Sequence, residues 1–146
     1  MRNPHRRRIS LVVSALLLLS ACNGAVSTAQ VEQVAVAVEA VAELAPDVTP
    51  EELAALLDSE QIVVVDVREE QEYAAGHIPG AVLIPLGSLT KRLSEVPTDT
   101  PVVLVCRSDN RSGEAYRLLT DRGFDNVSNM VGGMIAWQAA GLPVAR

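Results

Sequence analysis

Cys106 opens a run of polar residues, Arg107-Ser108-Asp109-Asn110-Arg111, directly after the apolar segment Pro101-Val102-Val103-Leu104-Val105. A cysteine placed where a buried strand ends and a helix is about to begin sits among unpaired N–H groups and near the positive end of a helix dipole. Both favour a thiolate, which is the nucleophilic form of the side chain. Arg107 and Arg111 add positive charge nearby, and the N–H groups of so short a loop can wrap around one sulfur or one oxyanion. The competing reading is a small apolar cysteine packed in the core. It fits the apolar residues on the N-terminal side of Cys106 and fails on the polar run on its C-terminal side.

Other chemistry-bearing residues read more plainly. His77 lies in Gly76-His77-Ile78-Pro79-Gly80, a turn sequence, and is expected to be structural. The only other histidine is His5, so no His-based metal site is expected. Gly132-Gly133 is not followed by Lys-Ser/Thr and so is not a phosphate loop. Trp137 is expected to anchor the last helix in the core.

The elements that must position Cys106 follow an α/β pattern from Asp47 onward. Thr49-Pro50-Glu51-Glu52 is a helix start, with Thr as N-cap, Pro at the first helical position and Glu three residues after the cap. That helix runs to about Asp58 with Leu53, Leu56 and Leu57 on one face. Strands are expected at Gln61–Val65, Ala81–Ile84, Pro101–Val105 and Asn126–Met130. Helices are expected near Glu69–Ala75, Leu86–Leu93, Ser112–Arg122 and Met134–Ala140. Strands alternating with helices imply a mainly parallel central sheet of about five short strands with helices on both faces. The 146 residues suffice for one such domain. Only Tyr73, Tyr116, Phe124 and Trp137 are aromatic, so aliphatic residues must fill the core. An acidic balance of 18 Asp and Glu against 12 Lys and Arg, with few aromatics, argues against nucleic-acid binding.

Residues 1–21 read as a targeting segment. Arg2, Arg6, Arg7 and Arg8 precede a run of 13 residues, Ile9 to Ala21, apolar but for three serines. A membrane span needs roughly 20, so the run fits a signal-peptide core. Its end, Leu19-Ser20-Ala21-Cys22, resembles a bacterial lipoprotein lipobox, which implies cleavage before Cys22 and lipidation of that residue. Cleavage removes four of the 12 basic residues and no acidic one, leaving 8 against 18 and a net charge of −10. Electrostatics would not hold such a body on anionic headgroups, so the lipid must do so. The expected location is the cell envelope, outside the cytoplasm and anchored to a membrane. Residues 22–46, rich in Ala and Val with no Lys or Arg, are expected to be a tether; an oligomerising helix is the alternative. With Cys22 acylated, Cys106 is the sole free thiol of the mature chain and exposed to oxidation. Residues 47–146 form the globular domain.

Three motifs in order give the domain a family resemblance. Cys106-Arg107-Ser108-Asp109-Asn110-Arg111-Ser112 resembles the active loop of single-domain rhodaneses. Asp66-Val67-Arg68-Glu69, Glu72-Tyr73 and Gly76-His77-Ile78-Pro79-Gly80-Ala81 are similar to the family's upstream motif. Gly132-Gly133-Met134-Ile135-Ala136-Trp137 and Gly141-Leu142-Pro143-Val144 resemble its C-terminal motif. The resemblance covers roughly Asp47 to Val144 and implies a rhodanese-like α/β fold and a sulfurtransferase. It implies that Cys106 takes a sulfur from a donor such as thiosulfate, holds it as a persulfide with no other cofactor, and passes it to cyanide or a thiol. By resemblance Cys106 and Arg111 are catalytic, with Arg111 closing and orienting the loop. Arg107, Ser108, Asp109, Asn110, Ser112 and Arg68 form the loop or bind the donor, and Asp66 orients the loop through hydrogen bonds. Phosphatases of the related fold have five residues between Cys and Arg. Here four intervene and Ser112 takes the place of that Arg, which favours sulfur over phosphate. The family commonly has Gly where Asp109 stands. Asp visits left-handed backbone conformations better than most residues, while its charge is expected to weaken thiosulfate binding or raise the Cys106 pKa. The alternative to an enzyme is a rhodanese-fold relay or binding module that holds a protein partner and turns over little.

Overall fold

Alternation along two central strands explains the layering. A computed structural model describes residues 44–57 and 62–146. In it β4 (Val102–Val105) and β2 (Val63–Asp66) lie side by side in parallel at the centre of the sheet. Successive side chains of a strand point to opposite faces. Val102 and Leu104 join one buried cluster, Val103 and Val105 the other. All four β4 residues are fully buried, as expected of a strand covered on both sides.

The sheet has five parallel strands in the order β1-β5-β4-β2-β3. The outer members are β1 (Asp47–Val48), β3 (Val82–Leu83) and β5 (Val127–Met130). One face carries α3 (Leu86–Leu89) and α4 (Asn110–Thr120), which contribute Leu89, Ala115 and Leu119. The other carries α1 (Pro50–Leu57) and α5 (Gly133–Ala139), which contribute Leu53, Met134 and Trp137. A fifth helix, α2 (Glu70–Ala75), follows β2 at the carboxyl end of the sheet. Trp137 is 1 % exposed and its indole N–H donates to the Pro143 carbonyl at 2.8 Å, the anchoring role expected of it.

The Thr49 cap forms as its sequence requires: the Glu52 carboxylate accepts from the Thr49 N–H at 2.7 Å, and Thr49 Oγ1 accepts from the Glu52 N–H at 3.2 Å. Two expectations are corrected. The segment Leu86–Leu93 is not one helix; α3 stops at Leu89 and a separate 3-10 turn covers Leu93–Glu95. Gly87 weakens so short a helix, and only Leu89 in it is fully buried. The helix after the nucleophile begins at Asn110, two residues before the expected start at Ser112, so Asn110 and Arg111 belong to its first turn.

The fold also takes in the three residues before Asp47. Leu44 packs on the α1–α5 cluster, Ser128 Oγ donates to the Ala45 carbonyl at 2.7 Å, and the Asn129 N–H donates to the Pro46 carbonyl at 2.8 Å. The signal segment 1–21, Cys22 and the tether up to residue 43 lie outside the described residues. Among the described residues no helix is long and apolar enough to cross a membrane.

Candidate active site

Cys106 follows the last residue of β4, and Asp109 is the N-cap of α4. The chain between them turns back on the sulfur. The Asp109 N–H donates to Cys106 Sγ at 3.1 Å and Ser112 Oγ lies 3.3 Å from the same atom. Burial alone would push this thiol up, since Cys106 is 1 % exposed. Hydrogen bonds from the Ser112 hydroxyl and from the Ser112, Ser108 and Asp109 N–H groups outweigh it, and the thiol is held below its ordinary value of 9.0. The loop therefore does what its sequence promises, gathering N–H donors on one sulfur. The Asp109 backbone thus lowers this pKa through its N–H, opposite in sense to the effect expected of its carboxylate charge.

Asp109 is the only non-glycine residue with a positive φ among the described residues, at 89°. A side chain in that region costs of order 1–3 kcal/mol and persists where surroundings hold it. Here Asn129 on β5 holds it, donating from Nδ2 to Asp109 Oδ1 at 2.6 Å. Ser112 is fully buried, and its hydroxyl also reaches the Asp109 carbonyl at 3.1 Å. One hydroxyl proton serves one acceptor at a time, so Ser112 donates either to the sulfur or to that carbonyl.

The other expected residues divide into two groups. Arg107 and Ser108 are exposed at the loop, as is Asn110 at the start of α4. Arg107 lines a cleft of about 340 Å³ with Arg68, Glu72, Met134, Ile135 and Gln138, and carries no ion pair among the described residues. Arg68 and Arg111 are committed elsewhere. Arg68 is 5 % exposed and donates from Nε and Nη2 to the Asp66 carboxylate at 2.6–2.9 Å, and from Nη2 to the Gly76 carbonyl at 2.9 Å. Asp66 thus orients Arg68 and the turn after β2, not the Cys106 loop. Arg111 does not close the loop on itself. Its two terminal nitrogens clasp Glu72 of α2 at 2.6 and 2.7 Å. This bidentate, charge-assisted pair holds the Glu72 carboxyl well down, to about 2.

Three positioning residues carry no local mark of that role in the sequence. Glu72 lies inside a recognisable motif, but nothing near it points to a partner 39 residues away. Asn129 sits in a strand that reads only as β. Gly133 reads as half of a glycine doublet without a role. A Cβ there would stand 2.5 Å from the Cys106 carbonyl oxygen and 2.7 Å from the Ser108 nitrogen. Its absence lets the first turn of α5 rest on the loop backbone, where the Met134 and Ile135 N–H groups donate to the Cys106 and Arg107 carbonyls at 2.8 and 3.1 Å. His77 is structural, as expected. Its ring stacks on Tyr73 at 3.7 Å, and its backbone forms a two-bond bridge with Ala145.

A five-stranded parallel sheet with helices on both faces, and a cysteine cradled by N–H groups at a strand's carboxyl end, define a class of α/β domain with a buried cysteine site. The chain belongs to the rhodanese-like domain family, whose model matches residues 49–140. It is 43% identical over 89 residues to a sulfurtransferase of Allochromatium vinosum, covering 61% of this chain and 83% of that protein. It is 38% identical to the thiosulfate sulfurtransferase GlpE of Pseudoalteromonas translucida, over 58% of this chain and 81% of that one. The crystal structure of a rhodanese-like domain protein from Staphylococcus aureus superposes with a TM-score of 0.62 at 34% identity, covering 70% of this chain and 100% of that one.

Proposed function

We propose that the protein is a sulfurtransferase that carries a sulfane sulfur on Cys106 from an anionic donor such as thiosulfate to cyanide or a small thiol. The observation that carries this reading is the convergence of the Asp109 N–H and the Ser112 hydroxyl on Cys106 Sγ. In the first half-reaction the thiolate attacks the outer sulfur of thiosulfate. A new S–S bond forms, the donor's S–S bond breaks, and sulfite leaves with the bonding electrons. In the second, cyanide or a thiolate attacks the terminal persulfide sulfur and the Cys106 thiolate is regenerated. The loop donors that hold the thiolate also stabilise the anionic persulfide, in the manner of an oxyanion hole. Arg107, at the cleft and without an ion pair among the described residues, supplies the charge that receives an anionic donor.

The reading extends to location. Residues 1–21 direct export, Cys22 receives lipid, and residues 23–43 connect that anchor to the domain at Leu44. The charge of the mature chain, −10 without the four N-terminal arginines, leaves the anchor to the lipid.

Mass spectrometry of the full chain after thiosulfate tests the chemistry. A gain of about 32 Da, one sulfur atom, is expected on the Cys106 peptide and absent from Cys106→Ser. Thiosulfate:cyanide turnover lost in Cys106→Ser supports the enzyme. No turnover and no mass gain in either protein overturns it in favour of a binding module. Metabolic labelling with a radiolabelled fatty acid, retained by the wild type and lost in Cys22→Ser, tests the anchor.

A further inference from the structure

We infer that Asn129 is a positioning residue for the Cys106 nucleophile and that it acts through Asp109. The inference rests on Cys106 being the reactive thiol.

Four contacts define the backbone direction of Asp109. Its N–H faces Cys106 Sγ at 3.1 Å. Its carbonyl accepts from the Gly113 N–H at 2.9 Å and lies 3.1 Å from Ser112 Oγ. Its side chain is drawn to the sheet, where Oδ1 accepts from Asn129 Nδ2 at 2.6 Å. The N–H can point at the sulfur only while the residue keeps φ at 89°. Glycine adopts that conformation without help. An aspartate needs a hold on its side chain, and Asn129 provides one.

Asn129 is itself built into the sheet. It is 5 % exposed and lies in the middle of β5, in register with Leu104 on β4 and with Asp47 on β1. Its N–H donates to the Pro46 carbonyl. The second hydrogen of Nδ2 goes to Asp47 Oδ1 at 3.0 Å. One amide nitrogen thus stands between two carboxylates from different elements. Both are hydrogen-bond acceptors when ionised, so only a donor satisfies them at that place. Among the described residues the amide oxygen has no hydrogen-bond partner, and the bonds that Asn129 makes through its side chain are the two from nitrogen. The result is a chain of contacts from the sheet edge, through Asn129 and Asp109, to the sulfur.

The test is alkylation of Cys106 by iodoacetamide across pH, read by mass spectrometry on the Cys106 peptide of the full chain. No sulfur donor is involved, so its failure is separable from failure of the sulfur-transfer reading. Asn129→Ala is expected to raise the midpoint of the rate profile by about one pH unit, a tenfold loss of thiolate below it. In an Asp109→Gly background the same substitution is expected to produce no further shift. Equal shifts in both backgrounds, or no shift in the wild-type background, overturn the inference, since a merely structural asparagine would act regardless of residue 109. If Asn129→Ala does not fold, the loop residue alone decides. Asp109→Asn keeps an oxygen for Asn129 and should shift the midpoint less than Asp109→Ala. An alanine as mild as asparagine would equally overturn the inference.

Discussion

Arg111 and Glu72 form a bidentate ion pair of 2.6 and 2.7 Å that joins the first turn of α4 to α2 across the carboxyl end of the sheet. The pair frames the loop between Cys106 and Asp109 without touching the sulfur through any hydrogen bond among the described residues. The pair thereby ties the first turn of α4, which carries Ser112, to α2.

Glu72→Gln should therefore loosen the site and lower stability. The Glu72 carboxyl titrates at about 2 in the folded chain, down from 4.5, with the Arg111 hydrogen bonds as the largest cause. A depressed carboxyl stabilises the fold above its unfolded pKa, and that contribution is lost as pH falls from 4.5 toward 2. Both side chains are about a third exposed, so screening limits the effect to about 1 kcal/mol at neutral pH. Urea denaturation of both proteins at neutral pH and at successively lower pH should show a gap that closes in that acid window.

Ser112→Ala removes the hydroxyl that, of all the groups on the sulfur, does most to lower the Cys106 pKa. Its alkylation profile should move to higher pH, by about one unit for the loss of a hydrogen bond to a buried thiolate. Sulfur transfer at neutral pH should fall with the thiolate fraction. A profile identical to wild type would show that the hydroxyl proton rests on the Asp109 carbonyl instead.

Arg107→Ala is expected to raise the KM for thiosulfate roughly tenfold, as loss of one charge-assisted contact does, while the KM for cyanide stays within about twofold of wild type. Its guanidinium carries no ion pair among the described residues, so thermal stability should change by no more than about 0.5 kcal/mol. Steady-state kinetics with each substrate varied in turn separates the two steps.

Gly133→Ala should be severe. The φ of 56° strains any side chain, and the new Cβ would meet the Cys106 carbonyl oxygen at 2.5 Å. The conformational term alone is roughly 1–2 kcal/mol, and relief of the clash must move α5 off the loop. A lowered melting temperature together with a broadened Cys106 alkylation profile is the expected pair of results.

The nucleophile is legible in the sequence because its signals are local: four apolar residues, a cysteine, then a polar run into a helix. The layering is equally legible, since the apolar run Val102–Val105 and the cap at Thr49 act within a few residues. The features that stay hidden depend on distance. The clasp between Glu72 and Arg111 spans 39 positions, and the Asn129–Asp109 bond joins β5 to the loop. The start of α4 at Asn110 is hidden because polar residues at a helix N-terminus look like loop until the Asp109 cap is seen in place. Asp66 is expected from sequence to serve the loop, but the nearer cation, Arg68, satisfies its carboxylate first.

The burial of Cys106 turns the question of oxidation around. In an oxidising compartment a lone thiol is a target for cross-linking to neighbouring proteins. A bridge of that kind needs the two Cβ atoms within about 3.5–4.5 Å of each other, and Cys106 is 1 % exposed. A folded neighbour cannot bring its backbone that close to so buried a sulfur. On the proposed chemistry the donor must be slim enough to reach the same buried atom, and the sulfur it leaves behind would stand about 2 Å farther out. On that reading the loop would act as a size filter, open to a small sulfur donor and closed to cross-linking with another folded protein.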